Sequence, residues 1–207
     1  MTENFVPFSI VQSWSRQVHK TIAPKEWSIV FGNKGQEEVS FPNQKKYQLQ
    51  VKECYKALLR SELHAFIYFR LKPLDSMLQF FSDSKTILTI NELATVQIES
   101  LASLEILRFG PCHFANTLCK TSAFKTLYFM LFLVTTPWRI DWGGLLTRTK
   151  EEKKSSSPII NVDVPMFNKI IFLSNEEKPF LSQVASNLSV DSIWLFGCYE
   201  IMAKGKK

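Results

Sequence analysis

Hydrophobic positions along this chain recur with two periods. Near the start, Val11, Trp14, Val18 and Ile22 follow at steps of three or four, the spacing that stacks side chains on one helix face. Pro7 precedes the stretch and Pro24 follows it, so the pattern predicts an amphipathic helix over 7–21 with Arg16, His19 and Lys20 off its apolar stripe. A narrow stripe of this kind, carried by Val11, Trp14 and Val18, either packs on a sheet or docks a protein partner.

The next segments switch to period two. WSIVF and EVSF flank GNKGQE and predict a hairpin. Residues 45–62 fit both periods, and Ala57, Leu58 and Leu59 favour helix in the second half. HAFIYFRL alternates as a strand ending at Pro73, and LDSMLQFF places Leu74, Met77, Leu78 and Phe81 on one helix face. From Lys85 the alternation returns in TILTI, ATVQIES and LEILRFG, which read as successive antiparallel strands. TLYFMLFLV, IINVDVP, NKIIFLS and IWLFGCYEI are strands by their β-branched and aromatic content, and EKPFLSQVASNL reads as a short helix.

Together these elements predict an α+β fold. An N-terminal amphipathic helix and a few short helices accompany a largely antiparallel sheet that folds over as a sandwich or partial barrel. A length of 207 residues suits a single globular domain over 1–207. Within it, 147–158 (TRTKEEKKSSSP) has six charges, three serines and no large apolar residue, and it reads as a mobile basic loop.

Composition adds bulk and charge. Aromatics make up 13% of the chain, with 17 Phe against 7 Gly, so the core is expected to be ring-packed. The net charge of +6 is uneven: residues 1–73 carry +5, 74–120 carry −2, 121–158 carry +3 and 159–207 carry 0. The uncharged run from Thr126 to Trp138 is too short to span a bilayer, which takes about 20 residues, and reads as a buried strand. The opening MTENFVPFS lacks the basic and apolar regions of a secretory signal, which predicts an intracellular chain with reduced thiols.

Candidate chemistry is sparse. Cys112, His113 and Cys119 lie close in sequence, with Cys54 and His64 as distant donors, but the spacing lacks the close pairs that structural zinc sites use. The same side chains could assemble a cysteine nucleophile on paper, though nothing in their spacing selects one. Asp141, followed by Glu151, Glu152, Lys153 and Lys154, superficially resembles the Asp, then Glu-x-Lys pattern of a large metal-dependent nuclease superfamily. In that pattern the Glu-x-Lys sits on a core strand, whereas here it sits in a charged, serine-rich stretch. Phosphate-cradling glycine loops and the common hydrolase and kinase motifs are absent, and no cofactor is expected.

What remains is basic. Arg148, Lys150, Lys153 and Lys154 cluster in the predicted loop, Lys45 and Lys46 precede a tyrosine, and Lys204, Lys206 and Lys207 close the chain. Such clusters attract phosphates without fixed geometry. The sequence therefore predicts a non-enzymatic adaptor or assembly subunit, of the class that includes viral structural proteins. It would associate with a protein partner or itself and turn a basic face to nucleic acid or an anionic membrane. The second reading is a nuclease-like enzyme using Asp141 and Glu152.

Overall fold

The computed structural model describes residues 2–22, 26–32, 37–40, 56, 66–116, 118, 125–150, 159–174, 177–187 and 190–202. Of the ambiguous stretch 45–62, all but Lys56 lies outside these. Three α-helices are described: α1 (Phe8–Arg16), continued by a π-helical turn (Gln17–Thr21), then α2 (Asp75–Ser82) and α3 (Ser84–Ala94).

The strands are β1 (Thr2–Glu3), β2 (Ser28–Gly32), β3 (Glu37–Ser40), β4 (Phe66–Leu71), β5 (Ile98–Phe109) and β6 (Phe114–Ala115). They continue with β7 (Thr126–Phe132), β8 (Leu146–Lys150), β9 (Ile159–Asp163), β10 (Lys169–Leu173), β11 (Glu177–Leu181) and β12 (Ser192–Ile201). All twelve belong to one sheet in the order β1-β10-β7-β12-β5-β4-β6-β11-β8-β9, with the β2–β3 hairpin attached through β4. Every pairing among them is antiparallel.

The sheet is curled into a half-barrel. Its path ends at β9 on one side and at β1 and β10 on the other, yet only residues 164–168 join β9 to β10. A flat sheet could not be crossed by so short a connection, because neighbouring strands stand about 4.8 Å apart.

Each face of the sheet has its own core, and period-two geometry sorts the side chains between them. Leu127, Phe129, Leu131 and Leu133 point to the face covered by the helices, where they meet Val11, Trp14, Val18, Met77, Phe81 and Ile90. Tyr128, Met130, Phe132 and Val134 point into the curl with Phe109, Leu146, Leu181 and Trp194. This explains why TLYFMLF is buried at every position and shows no polar alternation.

The helix-led α+β expectation is therefore corrected: the molecule is a mostly antiparallel curled sheet with a few short helices. Two local misreadings contribute. TILTI lies in α3 instead of a strand, because the Asp83 carboxylate caps the helix by accepting the backbone N–H groups of Lys85 and Thr86 at 2.9 and 3.3 Å. Ile87, Ile90 and Ala94 then share the buried face at helical spacing. EKPFLSQVASNL begins with β11 in place of a helix, with Pro179 opposite Arg148 of β8. The expected 147–158 loop also starts inside β8, since 147–150 pair with β9 and β11; residues 151–158 lie outside those described.

Candidate ligand-binding cleft

Helix α1 runs along the sheet because its apolar stripe is consumed there. Val11, Trp14 and Val18 are 0–2% exposed, and the Trp14 indole N–H donates to Ser76 Oγ of α2 at 3.0 Å. The stripe proposed for a partner is thus occupied by this chain's own core. The opposite edge of the helix, with the turn that follows it, faces a cleft of about 810 Å³. That size lies within the roughly 300–1,000 Å³ range of small-molecule sites.

Three segments wall the cleft. One is α1 with its π-helical turn, which brings Arg16, His19 and Lys20; the second follows β7, with Val134, Pro137 and Trp138; the third is the β9–β10 connection, with Val164, Met166 and Phe167. The edge of the Phe8 ring meets Phe167, centroids 6.1 Å apart, and ties the helix to the connection. Trp138 is held by its indole N–H donating to the Gly143 carbonyl at 2.8 Å.

The π-helical turn is anchored to the same strand end that forms the facing wall. The Leu133 carbonyl accepts from Ser15 Oγ at 3.2 Å and stands 3.0 Å from His19 Nε2. A carbonyl only accepts, so Nε2 carries the proton and Nδ1 is left as the second ring nitrogen. In the turn itself the Ile22 amide reaches back five residues to the Gln17 carbonyl at 3.3 Å. Short π-helical turns of this kind occur often at functional sites.

The cleft's electrostatics are one-sided. Arg16, His19 and Lys20 line it, and among the described residues no acidic one does. Arg16 and Lys20 have no ion-pair partner among the described residues. Sequence periodicity had already set all three off the apolar stripe; what it could not show was the wall opposite them, built from segments more than a hundred residues away.

The residues singled out in the sequence are placed elsewhere. Arg148 points into the curl, 13% exposed, with Nη2 at 3.1 Å from Asp163 and Nη1 at 3.2 Å from Glu177. For Lys150 only the backbone, in β8, is described. Lys45, Lys46, Lys153, Lys154, Lys204, Lys206 and Lys207 lie outside the described residues, as do Glu151, Glu152, Cys54, Cys119 and His64. Asp141 is exposed on a 3-10 turn and tied to Arg139 by two bonds of 2.9 Å, which hold its carboxyl below the usual range; it does not enter a sheltered pocket.

Of the cysteine and histidine cluster, Cys112 is half-buried; Cys198, outside that cluster, is buried. His113 is buried, accepts the Gly110 N–H at 3.1 Å and packs on Phe69 with centroids 5.0 Å apart. Among the described residues no group of three His, Cys, Asp or Glu side chains could hold a metal ion, and no helix is long and apolar enough to cross a membrane.

No protein-family profile matches the chain, and no curated protein does. Solved structures match at low identity. A prolyl-4-hydroxylase from Pseudomonas putida is 14% identical, with 93% of this chain and 100% of that one covered and a TM-score of 0.46. The non-haem α-ketoglutarate-dependent epimerase SnoN of nogalamycin biosynthesis is 11% identical, with 93% and 83% covered and a TM-score of 0.49. The ribosomal oxygenase YcfD from Escherichia coli is 8% identical over 99% of this chain but 46% of its own, with a TM-score of 0.40.

Such likeness concerns strand arrangement and identifies no activity here. A non-haem iron centre needs two histidines and a carboxylate converging with open positions. His19 and His113 are each engaged with backbone groups, and the described residues do not fit that group. The adaptor and assembly expectation, viral structural proteins included, is nevertheless overturned, as is its nuclease alternative. The apolar stripe offered to a partner is buried in this chain's own core, Arg148 is paired with Asp163 and Glu177 inside the fold, and Asp141 is exposed beside Arg139.

Proposed function

We propose that this protein binds a small, largely apolar molecule in the cleft between α1, the segment after β7 and the β9–β10 connection. The observation that carries this reading is a preformed cleft of about 810 Å³ with Val134, Pro137, Trp138, Val164, Met166 and Phe167 in its lining. A cleft of that lining, with a few convergent polar groups, is the usual form of a small-molecule site. The reading includes an intracellular setting.

Titration with the neutral fluorescent probe N-phenyl-1-naphthylamine tests it. Saturable enhancement at one site is expected, and Met166→Glu, which puts a charge into the lining, should abolish it while the far-UV spectrum stays unchanged. Enhancement that fails to saturate, or that survives Met166→Glu unaltered, would place the apolar site elsewhere.

A further inference from the structure

Resting on the cleft reading, we infer that its ligand is an amphipathic anion: an apolar body carrying one carboxylate head, held by Arg16 and Lys20 beside His19. The first ground is the charge census of the lining. Three basic side chains enter it and, among the described residues, no acid does, although acids and bases are nearly balanced over the whole chain, with 19 Asp and Glu against 25 Lys and Arg. Surface cations that serve solubility alone would be expected to lie interspersed with acids.

The second ground is that these cations are available. Arg148, Lys169, Arg108, Arg70 and Arg139 are all spent on carboxylates of this chain. Arg16 and Lys20 are not, among the described residues, and both are exposed at the cleft. A carboxylate there would add the attraction of opposite charges to its hydrogen bonds, which a neutral head lacks.

The third ground is that the group is held in place. Ser15 and His19 both engage the Leu133 carbonyl, so the turn bearing Lys20 is fixed relative to Val134, the next residue of the opposite wall. With Nε2 bound to that carbonyl, no hydrogen-bond partner among the described residues takes His19 Nδ1. A head group at the basic rim and a tail over Trp138 and Phe167 is the arrangement that satisfies both halves of the lining.

Monomeric dodecanoate and its neutral counterpart dodecanol, titrated separately against tryptophan fluorescence, read the head-group term. Wild-type protein should prefer dodecanoate by about tenfold, the scale of one charge-assisted hydrogen bond. In the Arg16→Gln/Lys20→Gln double variant that ratio should fall towards one. Equal affinity for both compounds in wild type would overturn the anionic class while leaving the apolar cleft standing. An unchanged preference in the double variant would overturn the assignment to Arg16 and Lys20. Failure of both compounds to bind would sink the cleft reading itself, and this inference with it.

Discussion

Lys169 Nζ lies 3.0 Å from Asp163 Oδ1, although the strands that carry the two residues stand near opposite ends of the sheet. Asp163 also meets Arg148, which meets Glu177, so β8, β9, β10 and β11 are joined by charges inside the curl. Asp163 and Lys169 are only 3% and 7% exposed, which makes every member of the chain of charges dependent on the others.

The contribution of Asp163 should therefore exceed that of Lys169. Asp163→Ala leaves Lys169 enclosed without its carboxylate and Arg148 with Glu177 alone, and should destabilise the protein by about 3–5 kcal/mol in urea denaturation. Lys169→Met leaves Asp163 still paired with Arg148 and should cost clearly less. Equal losses would mean that the charges act independently.

Acid sensitivity should trace to one histidine. Burial holds the His113 imidazole down at about 4 from its ordinary 6.5, with the Arg108 backbone and the Asp191 charge partly opposing. Between those values the unfolded chain takes up a proton that the folded chain refuses. Stability is then full above the unfolded value and falls with pH, losing about 3 kcal/mol by pH 4. Urea midpoints compared between pH 4 and 7 should show a shallower decline for His113→Gln than for wild type. Parallel declines would assign the acid sensitivity to other groups.

Packing under the helices leaves no room at one strand position. A Cβ on Gly197 would collide with the Phe129 ring and stand 3.0 Å from Leu104 Cδ1. Gly197→Ala should cost about 1–3 kcal/mol, the scale of overpacking in a filled core. Phe129→Leu should recover part of that loss in the double variant, as measured by thermal unfolding. Additive losses would show that the ring is not the obstacle.

Local pattern carried the reading wherever one neighbour set decides a residue's state. The strand at Phe66–Leu71, the hairpin of β2 and β3, and α2 all follow from short-range periodicity. It failed at TILTI, where a short run of mostly β-branched residues reads as strand and the capping Asp83 decides for helix. It failed again at EKPFL, where pairing with β8 and β6 holds as a strand a segment whose own pattern suggested a turn of helix.

By itself, the sequence determined that this chain has a bulky aromatic core, a helix whose apolar stripe spans Val11 to Val18, and many strands, because burial by period is a local property. Only the tertiary structure decided that Arg148 is enclosed, that Asp163 meets Lys169, and that Arg16, His19 and Lys20 face Trp138 and Phe167 across one cleft. Those relationships depend on how far the sheet curls, and curl is set by the summed twist and register of strands distant in the chain, which no single stretch of residues encodes.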